Sequence, residues 1–159
     1  MVKSDFKFST PKLIKLDFEI NDGYEDNKKI LTDNLNVSLN CHVDKEDEES
    51  ASVSLEIRAG ERGSEFPFFI HLVIGAVFKL DVKIPGIDFD NLLQINAPTL
   101  LLSYARPIIS SITAQAGMKP LNLPFFNPKE GLIPRSLLRN KLMTNEVSLG
   151  LIPRSLLLT

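Results

Sequence analysis

The sequence predicts an α+β fold, in which an antiparallel meander of four strands precedes a helical segment. Three observations carry this. Three stretches alternate apolar and polar residues, a fourth is apolar on both parities, and after Pro85-Gly86 the apolar period changes from two to that of a helix.

The first strand is expected over Lys12–Asn21, with Ile14, Leu16, Phe18 and Ile20 on one face and Lys15, Asp17 and Glu19 on the other. The second, Leu35–Val43, sets Leu35, Val37, Leu39, Cys41 and Val43 against Asn36, Ser38, Asn40 and His42. The third, Val53–Ala59, sets Val53, Leu55, Ile57 and Ala59 against Ser54, Glu56 and Arg58. Turn chemistry follows each strand: Asn21-Asp22-Gly23, the acidic run Asp44–Glu49, and Gly60-Glu61-Arg62-Gly63. Short polar links between half-buried strands imply antiparallel neighbours and one solvated sheet face. The fourth strand, Phe66–Leu80, is apolar on both faces and calls for a second cover, from a partner subunit or a bound chain. Asn96 then reads as a helix N-cap with Pro98 in the first turn. Leu101, Tyr104, Ile108 and Ile112 mark one face, Pro107 predicts a kink, and Gly117 marks the stop.

A chain of 159 residues with 43% hydrophobic content supports one packed domain. Its net charge of −2 gives no electrostatic case for a nucleic-acid partner. Residues 1–127 hold 13 Lys and Arg against 18 Asp and Glu, net −5, whereas residues 128–159 hold 5 against 2, net +3. Cys41 is the single cysteine, so an internal disulfide is excluded and a reducing compartment is expected. The opening MVKSDFKFSTPK has no signal-like apolar stretch, and no run approaches the roughly 18–20 apolar residues of a membrane span. A cytoplasmic protein without stable membrane insertion is the expectation.

Catalysis finds little material. His42 and His71 lie on separate strands without ligands at metal spacing, and nucleophile-elbow, phosphate-loop and zinc-helix motifs are absent. The acidic run Asp44–Glu49 reads as a solvated turn, and Cys41 as buried filler. No catalytic residue, metal or cofactor is expected. Apolar surface, by contrast, is in excess: Phe66, Phe68, Phe69, Phe78, Phe125 and Phe126 and the loop PLNLPFF exceed what one small sheet-and-helix layer buries. An oligomer interface and a ligand groove account for it equally well.

The tail, residues 128–159, repeats an octamer at Gly131–Leu138 and Gly150–Leu157. Two copies are too few for a solenoid. A peripheral duplication, a docking peptide used twice, or a non-natural segment with a protease-site-like Ile-Pro-Arg-Ser remain open. The chain is therefore divided into a domain over residues 1–127 and a basic peripheral tail.

From Ile74 to Asn127 the chain resembles the SecB family of export chaperones. The resemblance is carried by Gly75-Ala76-Val77-Phe78, Asn96-Ala97-Pro98-Thr99-Leu100-Leu101, Tyr104-Ala105-Arg106 with Ile108 and Ile112, then Gly117, Pro120 and Leu121-Asn122-Leu123-Pro124. Asp5, Phe8 and Pro11 extend it more loosely, to about residues 3–127. It implies a four-stranded antiparallel sheet with helices packed on one face, assembled as a dimer of dimers. It also implies an ATP-independent holdase, free of enzyme chemistry and cofactors, that holds unfolded preproteins in apolar grooves for the Sec pathway and delivers them to the SecA motor. The matching positions for a client groove are Phe68, Phe69, Val73, Val77, Leu100, Tyr104, Leu121 and Leu123. For a SecA contact, the family's sheet-face acids put Asp5 in place, and Asp17 and Glu19 add outward acids. Two further family acids fall on Ser9 and His71, and Pro107 stands where the typical helix has an acid. SecB-like chaperones dedicated to one partner, such as an antitoxin, are the alternative the resemblance allows, as is an interaction protein that kept the fold and lost client binding.

Overall fold

The computed structural model describes residues 5–24, 36–63, 66–81 and 85–123. The strands are β1 (Phe6–Phe8), β2 (Lys12–Ile20), β3 (Val37–Lys45), β4 (Ser50–Gly60) and β5 (Phe68–Leu80), followed by the helix α1 (Phe89–Gln115). All pairings are antiparallel. β5 is central: β4 runs along one of its edges, while β2 covers Phe68–Gly75 and β1 covers Phe78–Leu80 along the other. The sheet thus has five strands in four lanes, one more strand than expected, because the opening lane is interrupted at Ser9–Pro11. The interruption is not open backbone. Ser9 exchanges two bonds with Val77, its N–H donating to the carbonyl at 2.8 Å and its Oγ accepting from the N–H at 3.0 Å.

Period-two alternation decides which residues make the core. Cross-strand partners share a face, and the register stacks Ala51, Val53, Leu55, Ile57 and Ala59 of β4 against Phe78, Ala76, Ile74, Leu72 and Ile70 of β5. All ten are buried, and α1 packs across β4 and β5. The β1 residue Phe6 extends this layer, its ring 5.5 Å from Phe78 and 6.4 Å from Phe89. At the β4–β5 connection only glycine fits position 60. Its φ is +73°, and an added Cβ would lie 2.1 Å from the Phe68 carbonyl oxygen.

The helix departs from expectation at its start. Asp88, not Asn96, is the N-cap: it is extended (φ −95°, ψ 122°), and its carboxylate accepts the Asp90 N–H at 3.1 Å. Residues 89–95, which precede the expected start, form the first two turns, and the helix continues through Pro98 and Pro107. Asn96-Ala97-Pro98 satisfies the local rules for a helix start, but Phe89, Leu93, Ala97 and Leu101 already repeat every four residues and all are buried. The stop falls as expected. Gly117 (φ +79°) donates to the Ala114 carbonyl at 3.0 Å and Met118 to the Thr113 carbonyl at 3.1 Å, the two bonds of a Schellman cap. The resemblance called for helices; among the described residues there is this one. The tail at 128–159, with both octamers, and Pro124–Phe126 lie outside the described residues.

Candidate functional site

Among the described residues, two surfaces remain open once the core is closed. One is the sheet face turned away from α1, and the other is the outward side of α1.

The outer sheet face follows from the parity opposite to the core. It carries Phe69, His71, Val73, Gly75, Val77 and Lys79 of β5, with Ser54, Glu56 and Arg58 of β4 and Lys15, Asp17 and Glu19 of β2 as their neighbours. Phe69, Val73 and Val77 are half-buried in a row. A bulge in β2 completes the row. Leu13 opposes Ile74 and Lys15 opposes Val73, so Ile14 is the extra residue. Its Cδ1 lies 2.9 Å from where a Gly75 Cβ would stand, beside the Ser54 Cβ. Ile14 therefore leaves the core face, where alternation had placed it, and is 63% exposed above Gly75. A glycine within an otherwise apolar strand was the sequence signal for such an approach.

Charges across the same face form one network. His71 Nε2 is 2.7 Å from Glu56 Oε1, and Nδ1 is 3.8 Å from Asp17 Oδ2. Arg58 Nη2 donates to Glu56 at 2.8 Å and Asn40 Nδ2 at 3.2 Å, so residues of all four lanes take part. Burial alone would raise the Glu56 carboxyl, but the hydrogen bonds from Arg58, Asn40 and His71 outweigh it and hold Glu56 below the ordinary carboxylate range. Asp17 also pairs with Lys15 at 3.2 Å, Glu19 with Arg62 at 3.4 Å, and the Arg62 guanidinium sits 4.7 Å above the Phe69 ring. Asp5 is half-buried and its carbonyl accepts the Asp81 N–H.

The outward side of α1 is nearly free of charge. From Gln94 to Met118 the only ionisable side chains are Tyr104 and Arg106. Leu100 and Ile108 are half-buried and Tyr104 is 42% exposed, so Tyr104 lies off the buried face formed by Leu93, Ala97, Leu101, Ala105 and Ile109. The face read from sequence was rotated by about one position.

The groove residues expected from sequence therefore divide. Phe69, Val73 and Val77 come together on the outer sheet face, while Leu100 and Tyr104 stand on the far side of the helix layer. Phe68, Leu121 and Leu123 are core residues at 6%, 7% and 6% exposure. Phe68 stacks on Phe18 at 6.3 Å, and the Leu121 N–H donates to the buried Thr113 Oγ1 at 2.9 Å. Among the described residues no group of three His, Cys, Asp or Glu is placed to hold a metal ion, and burial pushes the Cys41 thiol up to about 11, where thiolate is scarce at neutral pH. No described helix is long and apolar enough to cross a membrane.

Comparison with known proteins places this arrangement. The family model "Preprotein translocase subunit SecB" matches residues 14–129, more than half of the chain. A protein-export protein SecB of a Bradyrhizobium species is 35% identical over 89 residues, covering 56% of this chain and 52% of its own. The match spans about half the length of such SecB-named relatives. An uncharacterized protein of Methanocaldococcus jannaschii is 28% identical over 128 residues, covering 79% of this chain and 81% of its own. Among solved structures, a SecB-like chaperone of Mycobacterium tuberculosis in complex with an antitoxin peptide shares the fold, with a TM-score of 0.55 at 12% identity over 77% of this chain and 91% of that one. A family match of this extent agrees with the antiparallel sheet and its covering helix: the chain belongs to the SecB family.

Proposed function

We propose that this protein is a holdase that captures non-native polypeptide through open apolar surface, without enzyme chemistry, cofactor or nucleic acid, and that it works in the cytoplasm as a homo-oligomer. One observation carries this reading: with the core closed, Ile14, Val73 and Val77 on the outer sheet face and Leu100, Tyr104 and Ile108 on the helix remain at least partly open. Apolar surface of this kind reads shape and hydrophobicity and tolerates sequence variation. The two surfaces suit different partners. A long helix side with one formal charge is poor solvent-facing surface and fits a second copy of the chain. The flat strip on the sheet fits an extended segment of a client.

Export of preproteins is the leading biological context, and SecA is its motor partner. Of the expected SecA-facing acids, Asp17 and Glu19 are engaged with Lys15 and Arg62, and His71 and Ser9 stand where the family carries acids. These departures favour a weak, salt-sensitive SecA contact, and they leave a single-partner chaperone, of the kind seen with the antitoxin peptide, as the second reading.

The test is aggregation of an unfolded protein with and without the full chain. Suppression near a stoichiometric ratio is expected; none at a large excess of this chain overturns the holdase reading. Sedimentation at micromolar concentration is expected to give a dimer or tetramer, and a monomer would remove the role assigned to the helix side.

A further inference from the structure

His71 stands between two carboxylates on the outer sheet face. The register brings this about, with Arg58 of β4 directly opposite it on one side and Asp17 of β2 on the other. Its side chain is 14% exposed; Nε2 lies 2.7 Å from Glu56 Oε1, and Nδ1 lies 3.8 Å from Asp17 Oδ2. A neutral imidazole carries one N–H, so it can donate to only one of the two carboxylates. The shorter contact decides which. A ring lone pair 2.7 Å from a carboxylate oxygen is repelled, so the neutral ring keeps its proton on Nε2 and donates to Glu56. Nδ1 then turns a lone pair toward Asp17, which is held instead by Lys15 of its own strand at 3.2 Å.

Glu56 is a firm anchor. Its Oε1 also accepts from Arg58 Nε at 3.1 Å and Nη2 at 2.8 Å, and its Oε2 from Asn40 Nδ2 at 3.2 Å. Burial alone would raise its carboxyl, but these bonds outweigh it and hold Glu56 below the ordinary carboxylate range. It therefore stays ionised across the mildly acidic range in which imidazole gains its second proton. The other charged groups of the described residues around His71 are already engaged: Arg58 with Glu56, Lys15 with Asp17, and Glu19 with Arg62. β3 lies one lane further and adds His42, exposed opposite Ser54, while α1 lies on the other face of the sheet.

We infer that His71 is a proton-operated clasp between the edge lane and the centre of the sheet. Protonation supplies an N–H at Nδ1, Asp17 exchanges Lys15 for the imidazolium, and β2, β5 and β4 are joined through Asp17, His71 and Glu56. Loss of that proton returns Asp17 to Lys15. Lys15 opposes Val73, so the exchange also leaves an unpaired ammonium beside the apolar row in mild acid. The clasp is a property of the sheet and stands independently of the polypeptide-binding function proposed above.

The experiment is a double-mutant cycle on the full chain, His71→Gln with Asp17→Asn, read from urea unfolding in mild acid and in mild base. Glutamine keeps a donor for Glu56 and cannot take up charge. The cycle is expected to show a coupling of about threefold in the folding equilibrium constant in acid and none in base. Lys15→Ala is expected to enlarge the acid coupling, because Asp17 loses its competing partner. Coupling between His71→Gln and Asp17→Asn that is absent in acid, or equal in acid and base, overturns the clasp. Nitrogen NMR of the wild-type ring gives a reading that needs no variant. The proton is expected on Nε2 in base and on both nitrogens in acid; a neutral ring protonated at Nδ1 overturns the inference.

Discussion

Val77 and Phe78 are adjacent in sequence and belong to different environments. Phe78 lies under the helix layer and is fully buried, and Val77 stands half-buried on the outer sheet face. The same contrast runs the length of β5, where Ile70, Leu72 and Ile74 alternate with Phe69, His71 and Val73. Among the described residues, one face of the sheet finds its cover in the helix and the other keeps apolar residues without cover. Stability and the proposed binding are therefore separable by parity on a single strand.

That separation can be tested from its strongest consequence downward. Leu123→Asp places an unpaired charge among core residues and is expected to unfold the protein, whereas Val73→Asp is expected to leave the fold intact and weaken peptide capture. Circular dichroism with peptide anisotropy reads both; a folded Leu123→Asp protein would put that residue back on a binding surface. Phe78→Ala is expected to remove about 3–5 kcal/mol in urea unfolding, and Val77→Ala about 1 kcal/mol or less. Equal losses would mean that the outer face is covered in solution, which a change of assembly state would reveal.

The cover itself can be loosened at its first turn. Asp88→Ala removes the acceptor for the Asp90 N–H and is expected to cost about 1 kcal/mol, and Asp88→Asn much less. If Asn96 were the true cap, Asn96→Ala would show the larger loss. The smallest effect concerns Glu56. Its folded-state pKa is held below the ordinary glutamate value, so its contribution to stability is full above that ordinary value and is lost as pH falls through the folded pKa. Wild type and Glu56→Gln are expected to differ in urea midpoint at neutral pH and to converge in acid; a gap that persists at low pH would assign the loss to packing.

Much of this was legible in the chain because alternation is a local property. The parities of β3, β4 and β5 can be read one strand at a time, and the structure keeps them: Val37, Leu39, Val53, Leu55 and Ile57 are buried as their spacing required. Gly117 was legible for a similar reason, since a left-handed residue after a helix is a demand on one backbone position.

The proposed binding surface was less legible, because exposure depends on what returns to cover a residue. Ile14 left the core face through a bulge, set by the register of β2 against β5 across more than fifty residues of sequence. Leu121 and Leu123 look like an apolar loop until their segment folds back on Thr113 and fills the core. Tyr104 follows a helical period as well as Leu101 does, yet the docking angle of α1 buries one and exposes the other. The sequence by itself determined which residues share a strand face and where the helix ends, since each follows from backbone geometry over a few residues. Only the tertiary structure decided which apolar residues stay open to a partner, because that choice depends on non-local packing that a local period does not encode.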